Sequence, residues 1–356
     1  MPLRDRRAPR TPGAAPHAEA AFQRIWRRRG GGAWALLPVA AVYGALSGLR
    51  GALYKTGVLR AERLPVPVVV VGNVVAGGAG KTPVTQAVVR ALRERGWHPG
   101  VVSRGYGRAT TDCREVLPDA DAAAVGDEPL LLARSTGAPV FVAARRADAA
   151  RALLRQHPRT DVVICDDGLQ HLALARDVEL CVFSEEGAGN GWLLPAGPLR
   201  EPWPRRVDAV LHAGDAPEGA ETAALGAFPI RRSLADHAVA RDGGTVPLAR
   251  LHGQPLHAVA AIARPAAFFA MLRGRGLTVE RETALPDHAD YGGWPPVPGD
   301  GLQVVCTEKD AAKLWPRCPG ALAVPLVVEI APAFFERLHL RLREIAGRSL
   351  SSAPDS

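Results

Sequence analysis

The feature that most constrains the fold is the stretch PVPVVVVGNVVAGGAGKTP at residues 65–83. A run of valines ends there in a glycine-rich turn, which closes with Gly80, Lys81 and Thr82 and is followed by Pro83. Such a turn lets backbone N–H groups approach phosphate oxygens, and the helix after it adds its positive N-terminal end. The stretch therefore predicts a strand, a phosphate-binding loop and a helix in direct succession.

The predicted loop departs in one place from the usual pattern G-x-x-x-x-G-K-[ST], because Val75 stands where the first glycine is expected. Neighbouring glycines still supply backbone freedom, so the phosphate-binding mechanism is retained. Lys81 would contact the outer phosphates of a nucleotide, and the hydroxyl of Thr82 would bind Mg²⁺. The residues predicted to hold the nucleotide are Gly77, Gly78, Ala79, Gly80, Lys81 and Thr82.

Short apolar runs alternate with helical stretches from residue 66 onward. The first series predicts strands at 66–71, 100–103, 139–143, 161–165, 178–183 and 209–212. A second series begins near residue 226 and ends with an amphipathic helix at 332–348. Continuous apolar strands separated by helices are typical of a parallel sheet covered on both faces. We predict an α/β fold, with a P-loop NTPase-like sheet in residues 58–225 and a smaller α/β lobe in residues 226–348.

The N-terminus is basic and then apolar. Residues 1–30 contain eight arginines and two acidic residues, so they carry +6 of the net charge of +8, and the remaining body is not expected to bind nucleic acid. Residues 33–49 contain no charged side chain, but they fall short of the roughly 20 residues of a bilayer span. Three interpretations stay open: a helix lying on an anionic membrane surface, a core helix and a true span. We expect residues 1–57 to form a basic arm and a membrane-associated helix.

Cysteine usage bears on the compartment. Five cysteines are scattered along the chain without a CxxC pair, which indicates neither a disulfide framework nor a structural zinc site. Two of them lie in apolar runs, so we predict buried, reduced thiols and a catalytic body in the cytosol.

A second chemical signal is the sequence DVVICDDGLQH at residues 161–171. Its apolar strand ends in Asp166 and Asp167, which would project from the carboxyl edge of the sheet, where ligands of such folds bind. Carboxylates at that point of a phosphate-loop protein usually hold Mg²⁺ or its water shell. The alternative is a pair of turn-forming aspartates. Gln170 and His171 follow on the same loop as supporting candidates.

Two further motifs are ambiguous from spacing alone. Asp127 and Glu128, in GDEP, either begin and cap a helix or serve the chemistry. In SRGYGR, Arg104 and Tyr106 follow a predicted strand, and the choice is between a glycine turn with solvated arginines and an anion contact.

Other charged candidates lie in loops. Arg200 and Glu201 belong to a long loop, residues 184–206, that is rich in glycine, proline and tryptophan, and loops of this length are usually functional or disordered. His288 lies in LPDHADY of the second series, and TEKD at residues 307–310 follows a predicted strand. Lone charges of this kind are usually surface features.

Seven of these motifs occur together, in one order, within residues 66–314. They are VVVVGNVVAGGAGKTP, SRGYGR, GDEPLLLA, DDGLQH, GNGWLLPAGPLREP, LPDHADY and TEKDAAKL. In this order they closely resemble the tetraacyldisaccharide 4'-kinase (lipid A 4'-kinase) family of Gram-negative bacteria. That family also lacks the first glycine of the phosphate loop, usually with Ser or Thr there, so Val75 departs even from the family pattern.

The resemblance implies transfer of the γ-phosphate of ATP, with Mg²⁺, to the 4'-hydroxyl of a tetraacylated lipid A disaccharide 1-phosphate, a late step of lipid A biosynthesis. It also implies a peripheral or monotopic enzyme on the anionic cytoplasmic face of the inner membrane. By motif, Asp127 is implied to be the catalytic base and His288 its partner, together with Lys81. Asp166 and Asp167 match the metal-binding pair. Further matches to active-site positions are Arg104, Tyr106, Arg200 and Glu201.

Two other functional classes are kept as alternatives. A GTP-driven phosphate-loop protein that acts on a protein partner usually carries N/T-K-x-D, which TEKD imitates only superficially. A peripheral membrane scaffold without catalysis would make little use of Lys81, Thr82 and Asp166.

Overall fold

The computed structural model describes residues 22, 24–78, 80–292 and 301–351. Most of the predicted basic arm and Ala79 of the predicted phosphate loop lie outside the described residues. The described helices are α1 (Gly31–Lys55), α2 (Lys81–Glu94), α3 (Ala122–Val125), α4 (Asp127–Thr136), α5 (Arg146–Gln156), α6 (Pro265–Gly274), α7 (Glu308–Leu314) and α8 (Pro332–Ser351).

The larger sheet has nine strands: β1 (Val68–Gly72), β2 (Pro99–Ser103), β3 (Arg114–Glu115), β4 (Val140–Val142), β5 (Val162–Asp166), β6 (Val178–Phe183), β7 (Val207–His212), β8 (Thr222–Leu234) and β15 (Leu326–Ile330). Their order is β15-β8-β7-β6-β1-β5-β2-β4-β3. The pairs β3–β4 and β8–β15 at the two edges are antiparallel, and the pairs between them are parallel. The predicted α/β fold with a parallel sheet is confirmed.

The apolar run of β1 is explained by a sheet that is covered on both faces. Val69 and Val71 belong to the core beneath α2 and α8, whereas Val68 and Val70 belong to the core beneath α5. Successive side chains of a strand point to opposite faces, so a central strand buried on both sides must be apolar at every position.

The smaller sheet has six strands: β9 (His237–Val239), β10 (Thr245–Pro247), β11 (Pro255–Ala260), β12 (Thr278–Ala284), β13 (Gln303–Thr307) and β14 (Leu322–Val324). Their order is β10-β9-β14-β13-β11-β12, and the last four in this order run parallel. A short 3₁₀ helix, Leu248–Leu251, packs into the core of this sheet. Residues 237–324 of the second predicted series thus form their own sheet and core.

The smaller sheet is inserted between two strands of the larger one. The expected boundary at residues 225/226 lies inside β8, and β15 returns to pair with β8. The final helix α8 also packs on the larger sheet, because Phe334, Leu338 and Leu342 repeat every four residues and are fully buried in its core. Residues 226–348 therefore contain the smaller sheet together with elements of the larger one.

Helix α1 is longer than its apolar stretch, and it is mostly exposed. Only 11% of its apolar window is buried, so the interpretation as a core helix is wrong. By length and composition alone it could cross a membrane. One side lies against the long loop, where the Tyr43 hydroxyl donates to the main-chain oxygen of Arg200 at 2.7 Å.

The cysteine prediction needs one correction. All five cysteines are free, and four are buried, but Cys113 is exposed. It lies just before the two-residue edge strand β3 rather than in an apolar run.

Replacing Phe334 with alanine tests the return of α8 to the larger sheet. The Phe334 ring is fully buried and lies 5.5 Å from the ring of Phe228, measured between centroids. We expect Phe334→Ala to lower the free energy of unfolding by about 3–5 kcal/mol in urea titrations, because it leaves a cavity in the core. Leu340→Ala on the same helix is the control, since Leu340 is 59% exposed. Equal effects of the two substitutions would contradict the packing.

Candidate active site

Strand order brings three of the predicted motifs to one edge of the larger sheet. β1 lies beside β5, with Val71 opposite Asp166, and β5 lies beside β2. Because the three strands are parallel, the loops that follow them emerge at the same carboxyl edge. The glycine loop after β1, the aspartates at the end of β5 and the SRGYGR motif after β2 therefore share one site.

The glycine loop has the backbone geometry of a phosphate cradle. Gly77 and Gly80 have φ of +108° and +76°, values that glycine adopts without strain, and Gly80 is the N-cap of α2. The Lys81 ammonium lies 3.2 Å from the Asn73 side-chain oxygen and 3.4 Å from Asp167. Thr82 lies in the first turn of α2. The loop thus brings Lys81, Thr82 and the N-terminus of α2 close together.

The structure gives Val75 a role that a glycine would fill less well. Val75 forms an isolated antiparallel bridge with Leu199 of the long loop. The Ala76 N–H donates to Pro198 and the Arg200 N–H donates to Val74, each at 2.7 Å. An extended, β-branched residue suits such a bridge. The bridge fixes the long loop, and with it Arg200, beside the phosphate loop.

The two aspartates after β5 differ in environment. Asp166 is buried and accepts a hydrogen bond from the Thr85 hydroxyl at 2.7 Å, and burial raises its pKa to about 6. Asp167 is half-buried, with Arg200 3.3 Å and Lys81 3.4 Å from its carboxylate. Burial would raise the pKa of Asp167, but these cations outweigh burial and lower it. The pair is therefore more than a turn.

The donor set suits Mg²⁺. Among the described residues, no three His, Cys, Asp or Glu side chains cluster as an all-protein metal site. Mg²⁺ is commonly held by one or two carboxylates together with waters and substrate phosphates. Asp166, Asp167 and the Thr82 hydroxyl supply oxygen ligands of this kind beside the phosphate loop. These residues fit the expected ion.

Asp127 is not the cap of its helix. It is the first residue of α4, the N-cap is Gly126, and no side chain caps this helix. Its buried carboxylate accepts instead from His288 Nδ1 at 2.8 Å and from Lys313 Nζ at 2.6 Å. Burial alone would raise the pKa of Asp127, but these two hydrogen bonds outweigh burial and lower it. Asp127 and Glu128 do lie in the first turn of α4, where negative charge is favourable, but Asp127 also has partners outside its own helix.

His288 comes from the loop after β12, so this contact joins the two sheets. Its backbone has φ of +63°, the left-handed region that non-glycine residues adopt rarely. The Asp127 carboxylate raises the pKa of His288, although burial and the nearby Lys309 act in the opposite direction. His288 is thus held in a strained position from which it donates to a buried carboxylate.

A second ion pair lies next to the first. Lys309 Nζ is 3.2 Å from Glu128 and 3.0 Å from Asp287. Glu128 therefore faces the smaller sheet, as Asp127 does. The expectation that the charges of TEKD lie on the surface is wrong, because Asp310 is also buried and binds the Thr307 hydroxyl and the Ala261 N–H.

Two glycines allow the SRGYGR and GDEP loops to touch. A Cβ on Gly105 would lie 2.7 Å from the Val125 carbonyl oxygen, and one on Gly126 would lie 3.1 Å from the Gly105 Cα. Both residues have positive φ. Tyr106 is thereby placed with its ring centroid 6.1 Å from that of His288, whereas Arg104 is exposed at the rim.

Of the remaining predicted residues, Gln170 contacts the long loop, whereas His171 contacts the start of α5. Gln170 donates to Glu201 at 2.7 Å and to the Asn73 main-chain oxygen at 2.9 Å. His171 lies apart from the Asp127 pair and accepts from the Arg146 N–H at 3.3 Å. Burial, with nearby arginines, lowers the pKa of His171 to about 4, so this imidazole is neutral at pH 7.

Several contacts were not foreseen from the sequence. Asn73 contacts Lys81, and Thr85 contacts Asp166. Arg146 contacts the Asp167 backbone, and Lys313 contacts Asp127. Arg232 of β8 lies so close to the phosphate loop that a Cβ on Gly80 would be 2.6 Å from its guanidinium. Lys313 belongs to a matched motif, which was a usable signal, whereas the others follow from packing.

The chain is similar to known proteins over most of its length. Residues 32–343 match the family model described as "LpxK: Tetraacyldisaccharide-1-P 4'-kinase". A tetraacyldisaccharide 4'-kinase of Acidovorax sp. (strain JS42) is 65% identical over 321 residues, 90% of this chain and 94% of that protein. One of Verminephrobacter eiseniae (strain EF01-2) is 58% identical over 334 residues, 93% and 76% of the two chains.

A solved structure is also similar. The crystal structure of LpxK from Aquifex aeolicus in complex with ATP has a TM-score of 0.77 and 27% sequence identity, and the match covers 88% of this chain and 99% of that one. The expected family is therefore confirmed by sequence and by fold. With its phosphate loop, paired aspartates and cross-sheet Asp127–His288 contact, the chain belongs to the tetraacyldisaccharide-1-P 4'-kinase family.

Proposed function

We propose that this kinase transfers the γ-phosphate of ATP to the 4'-hydroxyl of a tetraacylated lipid A disaccharide 1-phosphate, with Asp127 as the base. The observation that carries the proposal is the 2.8 Å contact of His288 with the buried Asp127, at the same sheet edge as the phosphate loop. A carboxylate in that position can accept the proton of a sugar hydroxyl.

Each part of the proposed reaction is assigned to a group that lies at the carboxyl edge of the larger sheet. The 4'-oxygen bonds to the γ-phosphorus, its proton passes to Asp127, and the bond from the γ-phosphorus to the leaving oxygen of ADP breaks. Lys81 and the loop N–H groups offset charge on the phosphates. Thr82, Asp166 and Asp167 would hold Mg²⁺, which would supply positive charge to offset the charge that develops on the phosphates. Arg200, fixed beside Asp167, is suited to an anionic group of either substrate.

We also propose that the two sheets are the cores of two lobes, with residues 1–57 as a separate membrane-binding unit. Residues 58–225 contribute most of the phosphate-loop lobe, to which β15 and α8 return, and the smaller sheet forms the other lobe. Asp127 contacts the loop after β12, and Glu128 contacts helix α7; both contacts are consistent with a site that closes between lobes. Such closure would exclude water from the transferred phosphoryl group.

The apolar N-terminal helix fits an amphiphilic acceptor. Val42, Leu46 and Leu49 of α1 are each about 60% exposed. Trp34 adds an exposed aromatic side chain, and basic residues flank the helix. We propose that α1 attaches the enzyme to the anionic cytoplasmic surface of the inner membrane, where the lipid-linked disaccharide is found.

The direct test is transfer of ³²P from labelled ATP to purified lipid A disaccharide 1-phosphate. We expect labelled product from the unaltered chain and a loss of about 10²-fold or more with Lys81→Ala, because the outer phosphates lose their cation. A preference for GTP without any dependence on the lipid would contradict the proposal. That alternative is disfavoured by the buried, internally bonded Asp310 of TEKD.

Replacing Asp127 with alanine should lower kcat by about 10²-fold or more, because the hydroxyl proton loses its acceptor. The affinity for ATP, measured by equilibrium binding of a nucleotide analogue, should stay near that of the unaltered protein. Asp215→Ala is the control, since Asp215 is an exposed aspartate in the bend that follows β7. Equal losses in turnover and ATP binding would instead indicate a structural role for Asp127.

Introducing charge on the exposed face of α1 tests the membrane proposal. Leu46→Glu should reduce cosedimentation with vesicles that contain anionic phospholipid, and activity on vesicle-embedded acceptor, because it removes apolar area and adds repulsion. Leu340→Glu is the control, because its side chain is similarly exposed on α8 of the body. Unchanged sedimentation of the Leu46 variant would refute attachment through this face.

A further inference from the structure

Helix α7 brings two lysines from the smaller sheet to the two acidic residues that begin α4. Lys309 and Lys313 are four residues apart and so lie on one face of the helix. Lys309 Nζ contacts Glu128 at 3.2 Å, and Lys313 Nζ contacts Asp127 at 2.6 Å. Neither the sequence analysis nor the proposed reaction assigns a role to Lys313.

The start of α7 is firmly anchored, so the position of Lys313 is well defined. Thr307 caps the helix by accepting from the Asp310 N–H, and its hydroxyl bonds the Asp310 carboxylate at 2.7 Å. That carboxylate also accepts from the Ala261 N–H at 3.0 Å, at the end of β11. Asp310 is 2% exposed. Helix α7 is therefore fixed to the core of the smaller sheet, and this sets the direction in which its two lysines point.

The Lys313 contact is selective for one oxygen of the base. Lys313 Nζ and His288 Nδ1 both bind Asp127 Oδ2, and the Lys313 ammonium also lies 3.4 Å from the His288 main-chain oxygen. The side chains of Asp127 and Lys313 are only 6% and 18% exposed, so solvent screens this pair weakly. Among the contacts of the described residues, Oδ1 is left as the oxygen that can face an incoming hydroxyl.

We infer that Lys313 is a positioning residue of the kinase, which together with His288 holds Asp127 Oδ2 and leaves Oδ1 to accept the proton of the acceptor hydroxyl. The inference rests on the proposed role of Asp127 as the base. Lys313 lies on α7, which packs beside the smaller sheet, and Asp127 begins α4, which packs beside the larger sheet. The base is therefore fully oriented only when the two sheets are docked. A weakly basic carboxylate suffices, because phosphoryl transfer depends mostly on positioning and charge.

The charged groups around Asp127 predict how kcat depends on pH. The titratable and charged groups that face it are Glu128 on its own helix, Asp287, His288 and Tyr291 on the loop after β12, and Lys309 and Lys313 on α7. Lys313 and His288 favour the ionised carboxylate, so the lowered pKa of Asp127 should rise when the Lys313 cation is removed. The acid limb of the rate profile should then move to higher pH.

The experiment compares Lys313→Met, Lys313→Arg and Arg317→Met in the full-length chain, with kcat measured against pH. We expect Lys313→Met to lower kcat by about 10- to 100-fold. We also expect it to move the acid limb upward by about one pH unit or more, because a close opposite charge is lost. KM for ATP should not change, since Lys313 contacts Asp127 and His288 rather than the phosphate loop. Lys313→Arg should return the limb toward its original position.

Arg317→Met is the matched control, because it removes an exposed cation just after α7. It should leave kcat and the acid limb unchanged. An unmoved acid limb in Lys313→Met would overturn the inference, whether or not kcat falls. If the methionine variant does not fold, as judged by its thermal transition, Lys313→Gln takes its place with the same expected shift.

A double-mutant cycle separates failure of this inference from failure of the proposed function. In an Asp127→Ala background, Lys313→Met should have no further effect on kcat. Activity retained by Asp127→Ala alone would reject Asp127 as the base. Loss of activity in Asp127→Ala with no effect of Lys313→Met would reject only the role of Lys313.

Discussion

The parallel pairing of β1 with β5 is the constraint on which the site depends. With Val71 opposite Asp166, the strand that leads into the glycine loop ends beside the strand that leads into the two aspartates. No loop rearrangement is then needed to bring Lys81 within 3.4 Å of Asp167. Both faces of β1 are buried beneath helices, which is why the strand is apolar at every position.

The second constraint is the insertion of the smaller sheet between β8 and β15 of the larger one. Both of its connections to the larger sheet run through one edge, while the loop after β12 and helix α7 after β13 reach the GDEP segment. The ionic contacts that result are mostly buried, and breaking one partner of a buried pair is costly. The geometry of the base is thereby tied to the relative position of the two sheets.

Much of the site could be predicted because its motifs are local. The glycine loop, the Asp166–Asp167 pair and the alternation of strands and helices each depend on residues close in the chain, where short-range backbone geometry decides. The role of the GDEP motif could not be predicted from local sequence. By spacing alone, a carboxylate at a helix start can equally be a helix cap or a catalytic base. Only the resemblance to the family favoured the base before the structure showed the partners of Asp127.

The sequence by itself determined the fold class, the phosphate loop, the family and the chemical types of the site residues, because these follow from patterns within a few residues. Only the tertiary structure decided that α8 packs on the larger sheet, that Val75 bridges to Leu199, and that α1 lies mostly exposed. It also showed that His288, 161 residues from Asp127 and expected as its partner only through the family resemblance, contacts that carboxylate, with Lys313 beside it. Such contacts depend on how whole elements pack, and no local pattern encodes them.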